Sequence, residues 1–268
     1  MPNTDVEDRV RELFERLFMP SALNALSETL PRDPTKKTAA LKTLEALLGV
    51  EARDRTERRI KRRIAESKLP DYPTLQSFDF DFQPSLDPDL VMELATLAWV
   101  DRKEDLVLLG QSSTGKSHIG KALCMIACSQ ERRVRYTSCA DMLKELFASL
   151  ADGSLYRVLP KYVRPPLLMI DDLGYDPIEQ EQARDAQLLY KVIEARHGKT
   201  STIITSNLPP EAWADYLGDH YLTVALLDRL LFHAVAITID GPSWRLAQHK
   251  KQQKAKKNKI KKKGGRGS

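Results

Sequence analysis

The chain has 268 residues, and 42% of them are hydrophobic, which is enough for one α/β domain of ordinary size and a smaller unit beside it. No run of eighteen apolar residues occurs and the start lacks a secretory pattern, so we expect a cytoplasmic protein with no membrane partner. The net charge is +5, but residues 250–266 hold ten Lys or Arg and no acid, so the basic character is local and the remainder, with 32 basic and 37 acidic residues, is slightly acidic.

Apolar residues recur at helical spacing in residues 1–68. The first set is Val6, Val10, Leu13, Phe14 and Leu17, and a second set, after a break at Pro31 and Pro34, is Ala40, Leu41, Leu44, Leu47 and Leu48. This pattern predicts a small helical N-terminal domain.

The last helix of this segment is rich in arginine. Its candidate DNA contacts are Arg55, Arg58, Arg59, Arg62 and Arg63. Such a row of cations suits contacts to phosphate groups, and a solvated surface helix explains the same residues equally well.

Residues 69–88 are rich in Pro, Asp and Phe, which predicts an extended connector between two domains. Neighbours of a bound base are expected around residues 80–86. In residues 89–248, β-rich apolar runs alternate with helical patterns, and the runs cover 106–109, 134–136, 167–170, 202–205 and 235–239. The alternation predicts an α/β fold with a parallel central sheet flanked by helices. The three cysteines, Cys124, Cys128 and Cys139, lack disulfide or zinc spacing and are expected to be core residues.

The segment after the first of these runs has the pattern G-x-x-x-x-G-K-S, followed by a helix. Glycines allow backbone N–H groups to surround phosphate, and the start of the helix adds positive potential. The predicted nucleotide-binding residues are Gly110, Gln111, Ser112, Ser113, Thr114, Gly115, Lys116, Ser117 and His118. Lys116 would reach the β- and γ-phosphates of ATP, and the Ser117 hydroxyl would bind Mg²⁺. Ser113 stands where many such loops have a third glycine.

The run 167–170 ends in two carboxylates, which is a Walker B pattern. Asp171 would hold Mg²⁺, directly or through water, and Asp172 would polarise the attacking water. Asn207 follows the next strand and can hold that water. Arg229 and Arg245 are candidate phosphate sensors, because a guanidinium spreads charge over two contacts.

With these residues in order, the chain resembles the AAA+ ATPases of the DnaC and IstB group, most of all the IstB-like helper ATPases of transposition. The resemblance rests on GQSSTGKS (110–117), LLMIDDLG (167–174), TSN (205–207), LLDRLL (226–231) and GPSWR (241–245). It implies that Asn207 is sensor 1, Arg229 an arginine finger that completes a neighbour's site, and Arg245 sensor 2. It also implies homo-oligomers formed through the ATP sites, duplex DNA as a partner and delivery of that DNA to the transposase of the same element.

Three other interpretations remain open. A replicative helicase loader of the DnaC type would share the whole ATPase core, a small-molecule kinase would share the phosphate loop, and a DNA-binding oligomer would use ATP only as a structural ligand. The tail, 249–268, is expected to be disordered, and it either attracts phosphate backbones or only aids solubility.

Overall fold

The computed structural model of the protein describes residues 2–174 and 182–253. The chain divides into two compact units, and the boundary falls between Arg62 and Arg63. In the described ranges, none of the helices is long and apolar enough to cross a membrane.

The first unit is helical, as the apolar spacing predicts. Its helices are α1 (Pro2–Arg16), α2 (Pro20–Thr29) and α3 (Pro34–Ser67), the last of which continues past the unit boundary. Each begins at a proline, whose fixed φ suits the first helical turn. Buried apolar residues from all three helices form its core: Val6, Val10, Phe14, Leu26 and Leu41.

The second unit alternates strands and helices. In chain order its elements are α4 (Pro88–Ala95), α5 (Ala98–Asp101), β1 (Asp105–Leu109), α6 (Lys116–Ser129), β2 (Val134–Ser138), α7 (Cys139–Ala151), α8 (Leu155–Val158), α9 (Pro160–Val163), β3 (Leu167–Leu173), α10 (Gln182–Arg196), β4 (Ser201–Ser206), α11 (Trp213–Leu217), α12 (His220–Leu231), β5 (Ala234–Thr238) and a helix α13 over 244–253. The connector contains one 3-10 turn, Leu75–Ser77, and ends where Asp87 caps α4. The tail predicted to be disordered was 249–268, but its first residues, 249–253, belong to α13. The rest of the tail lies outside the described residues.

The five predicted strands form one sheet, and the prediction of a parallel central sheet is confirmed. The strand order is β2-β3-β4-β1-β5, and every neighbouring pair is parallel. The carboxyl ends of all five strands therefore lie along one edge of the sheet. Crossover helices make this order possible, because parallel neighbours need long connections.

Both faces of the sheet are covered by helices, so its central strands read as continuous apolar runs. Leu106 and Leu108 of β1 belong to a core with α4, α5 and α6, while Val107 between them belongs to a core with α7, α10, α11 and α12. Gly120 lets α6 approach the sheet, because a Cβ there would lie 2.7 Å from Met169 Cε. The three cysteines are buried in these cores, as expected.

Asp105 and Arg196 form a buried cluster of charged side chains at the opposite edge of the sheet, where the strands begin. Asp105 Oδ1 accepts a hydrogen bond of 2.6 Å from the backbone N–H of Thr202. The Arg196 side chain is 1% exposed, and it donates to Thr202 Oγ1 and to the backbone carbonyls of Tyr162 and Pro165. These bonds satisfy carbonyls that would otherwise be buried without partners.

Burial raises the pKa of Asp105 to about 6, although the Thr202 bonds and the charges of Arg196 and His197 act in the opposite direction. In the unfolded chain its pKa returns to about 3.9. At pH values between these two pKa values, the folded state binds the Asp105 proton more tightly than the unfolded chain does. The stability that the protonated Asp105 carboxyl contributes is therefore lost as pH rises through about 6. From pH 5 to pH 8 we expect the free energy of unfolding of the wild type to fall by about 1 kcal/mol relative to that of Asp105→Asn.

Denaturant titrations of the two proteins at several pH values measure this difference. Asp101→Asn is the matched control, because Asp101 is exposed and its hydrogen bond to Arg132 lowers its pKa. The difference in unfolding free energy between the wild type and this variant is therefore expected to stay constant from pH 5 to pH 8. A constant difference between wild type and Asp105→Asn would show that Asp105 is ionised throughout.

Candidate functional site

A cleft of about 420 Å³ opens at the carboxyl edge of the sheet, within the second unit. Ligand sites of open α/β folds lie at this edge. Its wall includes residues of the connector, the loop after β1, the ends of β3 and β4, and the start of α13. Its lining residues include Phe78, Phe82, Gln83, Ser112, Ser113, Thr114, Gly115, Lys116, Ser117, His118, Asp172, Asn207, Trp244 and Arg245.

The loop between β1 and α6 follows the predicted phosphate-binding motif. Gly110 has φ +139° and Gly115 has φ +107°, both in the region that favours glycine. A Cβ on Gly110 would lie 2.3 Å from the carbonyl oxygen of Ile239, and one on Gly115 would lie 2.4 Å from the ring of Phe78. Ser113 has φ +65°, so a residue with a Cβ occupies the left-handed conformation expected at this position.

Lys116 begins α6 beneath this loop. Its side chain is largely buried, and Nζ donates to the carbonyl oxygens of Gly110 at 2.8 Å and of Gln111 at 2.7 Å. Burial lowers the pKa of Lys116, while Asp172 and Asp171 raise it. The structure therefore places a partly desolvated cation within electrostatic reach of the two carboxylates, at the start of α6, where the helix has its positive end.

The two carboxylates at the end of β3 have different surroundings. Asp172 lines the cleft, and burial, then the charge of Asp171, raises its pKa, while Lys116 lowers it. Asp171 is 2% exposed and does not line the cleft; its oxygens accept hydrogen bonds from Thr205 Oγ1 at 2.6 Å and from the Tyr136 hydroxyl at 2.9 Å.

The structure brings two of the three predicted sensors to the cleft. Asn207 and Arg245 line it, and the charge of Arg245 acts on Asp172. Arg229 lies elsewhere: on α12 its side chain donates to Glu194 and to the carbonyl of Ala225, and it stacks on Tyr190. Of the predicted loop residues, Ser112 to His118 line the cleft, whereas Gly110 and Gln111 do not.

An aromatic wall faces the phosphate loop, and only an unranked range, residues 80–86, was predictable for it from the sequence. Phe82 and Gln83 come from the range 80–86, whereas Phe78 and Trp244 lie outside it. The Phe82 and Trp244 rings meet edge to face at 4.9 Å. Gln83 donates from Nε2 to the carbonyl of Pro242 at 2.8 Å and packs so closely on Gly241 that a Cβ there would lie 1.8 Å from its Oε1. The phenylalanines of the connector and the tryptophan within GPSWR were the available signal.

These residues fit a nucleotide and a divalent cation. Aromatic faces suit a base, the loop with Lys116 suits phosphate, and the hydroxyl of Ser117 with a nearby carboxylate offers the oxygen ligands that Mg²⁺ prefers.

The five predicted DNA contacts lie on α3 and differ in their bonding. Arg55 donates to Glu51 and to the carbonyl of Leu17, and Arg63 donates to the carbonyl of Glu131 and to Glu66. Arg59 donates to Thr56. Arg58 donates to the carbonyl of Asp54 and lies 3.7 Å from Glu51, and both Arg58 and Arg62 are exposed. The first two thus have roles within their own units, and the last two are the best presented to a partner.

Comparison with known proteins also indicates an ATP-binding protein. The family model described as IstB-like ATP binding protein matches residues 13–253. The putative ATP-binding protein of insertion sequence IS5376 from Geobacillus stearothermophilus is 31% identical over 94% of this chain and 100% of its own length. That of insertion sequence IS21 from Pseudomonas aeruginosa is 34% identical over 89% of each chain.

Solved structures show the fold. AMPPCP-bound DnaA from Aquifex aeolicus superposes with a TM-score of 0.51 at 20% identity, covering 70% of this chain and 56% of that one. Domain III of DnaA from Thermotoga maritima gives 0.50 at 21% identity, covering 65% of this chain and 69% of that one. The fold is thus that of P-loop AAA+ proteins. Because the family model spans most of the chain and full-length relatives are about one-third identical, this protein belongs to the IstB-like ATP-binding proteins of insertion sequences.

Proposed function

We propose that the protein is an ATP-hydrolysing helper of insertion-sequence transposition, which assembles on duplex target DNA and delivers it to the transposase of the same element. The observation that carries the catalytic part is one cleft lined by Lys116, Asp172, Asn207 and Arg245 at the edge of the sheet. The family supplies the transposition context, because its relatives are ATP-binding proteins of insertion sequences.

The residues of the phosphate loop and the polar residues of the cleft have separate roles in this proposal. Ser112 to His118 hold the triphosphate through backbone N–H groups, Gly110 and Gln111 complete the loop behind them, and Lys116 contacts the β- and γ-phosphates. Asp172 polarises the attacking water while the Asn207 amide orients it, and Arg245 stabilises charge on the phosphate oxygens. The base lies against Phe82 and Trp244.

Ser117 and Asp171 are the proposed magnesium ligands. The Ser117 hydroxyl lines the cleft, whereas Asp171 lies behind its wall and would act through water. When bound, Mg²⁺ neutralises charge on the phosphate oxygens.

Arg229 is the proposed arginine finger of a neighbouring copy. It lies on α12, away from its own cleft, and Glu194 and Tyr190 hold its guanidinium in place. A finger supplied in trans links hydrolysis to assembly, because the site of one copy is complete only beside another. This supports homo-oligomers formed through the ATP sites.

Lys116→Ala is expected to abolish nucleotide binding, because Lys116 supplies a buried positive charge beside the loop. At an ATP concentration one hundred times Kd, the wild type gains about 2.7 kcal/mol of stability, so its Tm rises, whereas the variant shows no shift. Thermal unfolding with and without ATP measures this. Lys144→Ala, an exposed lysine on α7, is the control and keeps the full shift. A variant that folds and keeps the shift would refute the role of Lys116.

Asp172→Asn is expected to bind ATP with a Kd within about threefold of the wild type and to lose hydrolysis by about 100-fold or more, because the amide cannot take a proton from water. Phosphate release and binding of a fluorescent ATP analogue separate the two effects. Asp8→Asn, an exposed carboxylate on α1, controls for the loss of a charge. Unchanged turnover would show that another group activates the water.

Duplex DNA of mixed sequence is expected to stimulate ATP hydrolysis, and single strands are not, when both are compared at one low salt concentration. Stimulation by single strands alone would favour a helicase loader of the DnaC type. No response to either would contradict the DNA-binding role.

Arg58 and Arg62 give this prediction a second readout. Replacing both with Gln is expected to weaken duplex binding uniformly across sequences and to reduce the salt slope by roughly one for each arginine, if each contacts one phosphate. The matched control replaces Lys36 and Lys42, two exposed cations earlier on α3, with Gln. Equal losses in both pairs would indicate a diffuse electrostatic effect instead of a defined contact.

A further inference from the structure

The ladder between β3 and β4 is interrupted beside the candidate catalytic carboxylate. The two strands are in register up to Ile170, opposite Ile204, and resume at Leu173, opposite Ser206, so a bulge lies at Asp171 and Asp172. Bulges next to active sites redirect a side chain. Here the bulge separates two adjacent carboxylates, one buried and one lining the cleft.

The bulge requires an unusual backbone conformation. Asp172 has φ +60°, a left-handed conformation that is uncommon for residues with a Cβ, although Asp adopts it more readily than most. This conformation is less favourable than an extended one. Other bonds must therefore stabilise it.

The Thr205 hydroxyl supplies hydrogen bonds where the β3–β4 ladder is interrupted. Thr205 Oγ1 accepts a hydrogen bond of 2.9 Å from the backbone N–H of Asp172 and donates one of 2.6 Å to Asp171 Oδ1. Thr205 is fully buried on β4, between β3 and β1. A single buried atom thus contacts the main chain of one carboxylate residue and the side chain of the other, and water does not compete for it.

We propose that Thr205 is a positioning residue for ATP hydrolysis: its hydroxyl holds the β3 bulge in the conformation that presents the Asp172 carboxylate to the cleft. The inference rests on the proposed function, since it concerns the water-activating role of Asp172. Thr205 itself is not among the residues that line the cleft. Its effect falls on the catalytic step, because the phosphate loop, which binds ATP, does not depend on the bulge.

The test compares Thr205→Val with Thr205→Ser. Valine keeps the shape and the branching that suit a strand but removes the hydroxyl, whereas serine keeps the hydroxyl. We expect Thr205→Val to lower kcat at least about tenfold with KM within about threefold, and Thr205→Ser to restore kcat to within about threefold of the wild type. If Thr205→Val does not fold, Thr205→Ala replaces it.

A second readout needs no nucleotide. Amide hydrogen exchange at Asp172 is expected to be at least tenfold faster in Thr205→Val than in the wild type, and unchanged in Thr205→Ser, because the N–H loses its acceptor. Tyr136→Phe is the control, since it removes the other donor to Asp171 and leaves the bond to Asp172 intact. It is expected to leave exchange at Asp172 unchanged and kcat within about threefold of the wild type.

The outcomes separate the two proposals. A wild type that binds ATP without hydrolysing it refutes the proposed function, and the exchange comparison still tests the bulge. A wild type that hydrolyses ATP, with a folded Thr205→Val of equal kcat or equal exchange at Asp172, overturns the inference alone. Loss of kcat in Thr205→Ser as large as in Thr205→Val overturns it also, because shape would then matter and not the hydroxyl.

Discussion

The site depends on the parallel pairing of β1, β3 and β4. Because β4 lies between β3 and β1, the loop after β1, the carboxylates ending β3 and the amide after β4 reach the same edge of the sheet. These segments are far apart in sequence, and only the strand order brings them together. The cluster of Asp105 and Arg196 lies at the other edge, where both side chains bond to backbone groups of the same chain. The carboxyl edge differs, because its polar side chains line the cleft.

Within the cleft, the balance of burial and charge decides what each ionisable group can do. Lys116 and Asp172 are each shifted by burial toward the neutral form, and each is shifted back by the other. A bound phosphate would add negative charge near both and so favour the charged lysine further. Asp171, by contrast, is buried behind the wall of the cleft, and two hydroxyls donate hydrogen bonds to its oxygens.

Much of the fold and of the cleft could be predicted from the sequence, because the signals are short, contiguous segments of the chain. The phosphate loop is a contiguous motif whose glycines meet a steric need, and the five strands are apolar runs of the expected length. The placement of Asn207 and Arg245 followed from strand ends and a resemblance, and the cleft contains both. The different environments of Asp171 and Asp172 could not be predicted, because they arise from a bulge and from hydroxyls on two other strands. Phe78 and Trp244 of the aromatic wall were missed for a similar reason: they meet the loop only in the fold, and the connector has no periodic pattern to rank its residues.

The contact between Gln83 and Gly241 links the connector to the segment that carries Arg245. The Gln83 amide occupies the space that any side chain at position 241 would need, and it also bonds to the next residue, Pro242. The backbone N–H of Trp244 in turn donates to the carbonyl of Ser113 in the phosphate loop. Substitutions at 83 and 241 should therefore be non-additive, because a larger residue at 241 displaces the Gln83 amide from its bond to Pro242 and a smaller residue at 83 relieves that contact. During divergence the two positions are expected to change together more often than one at a time.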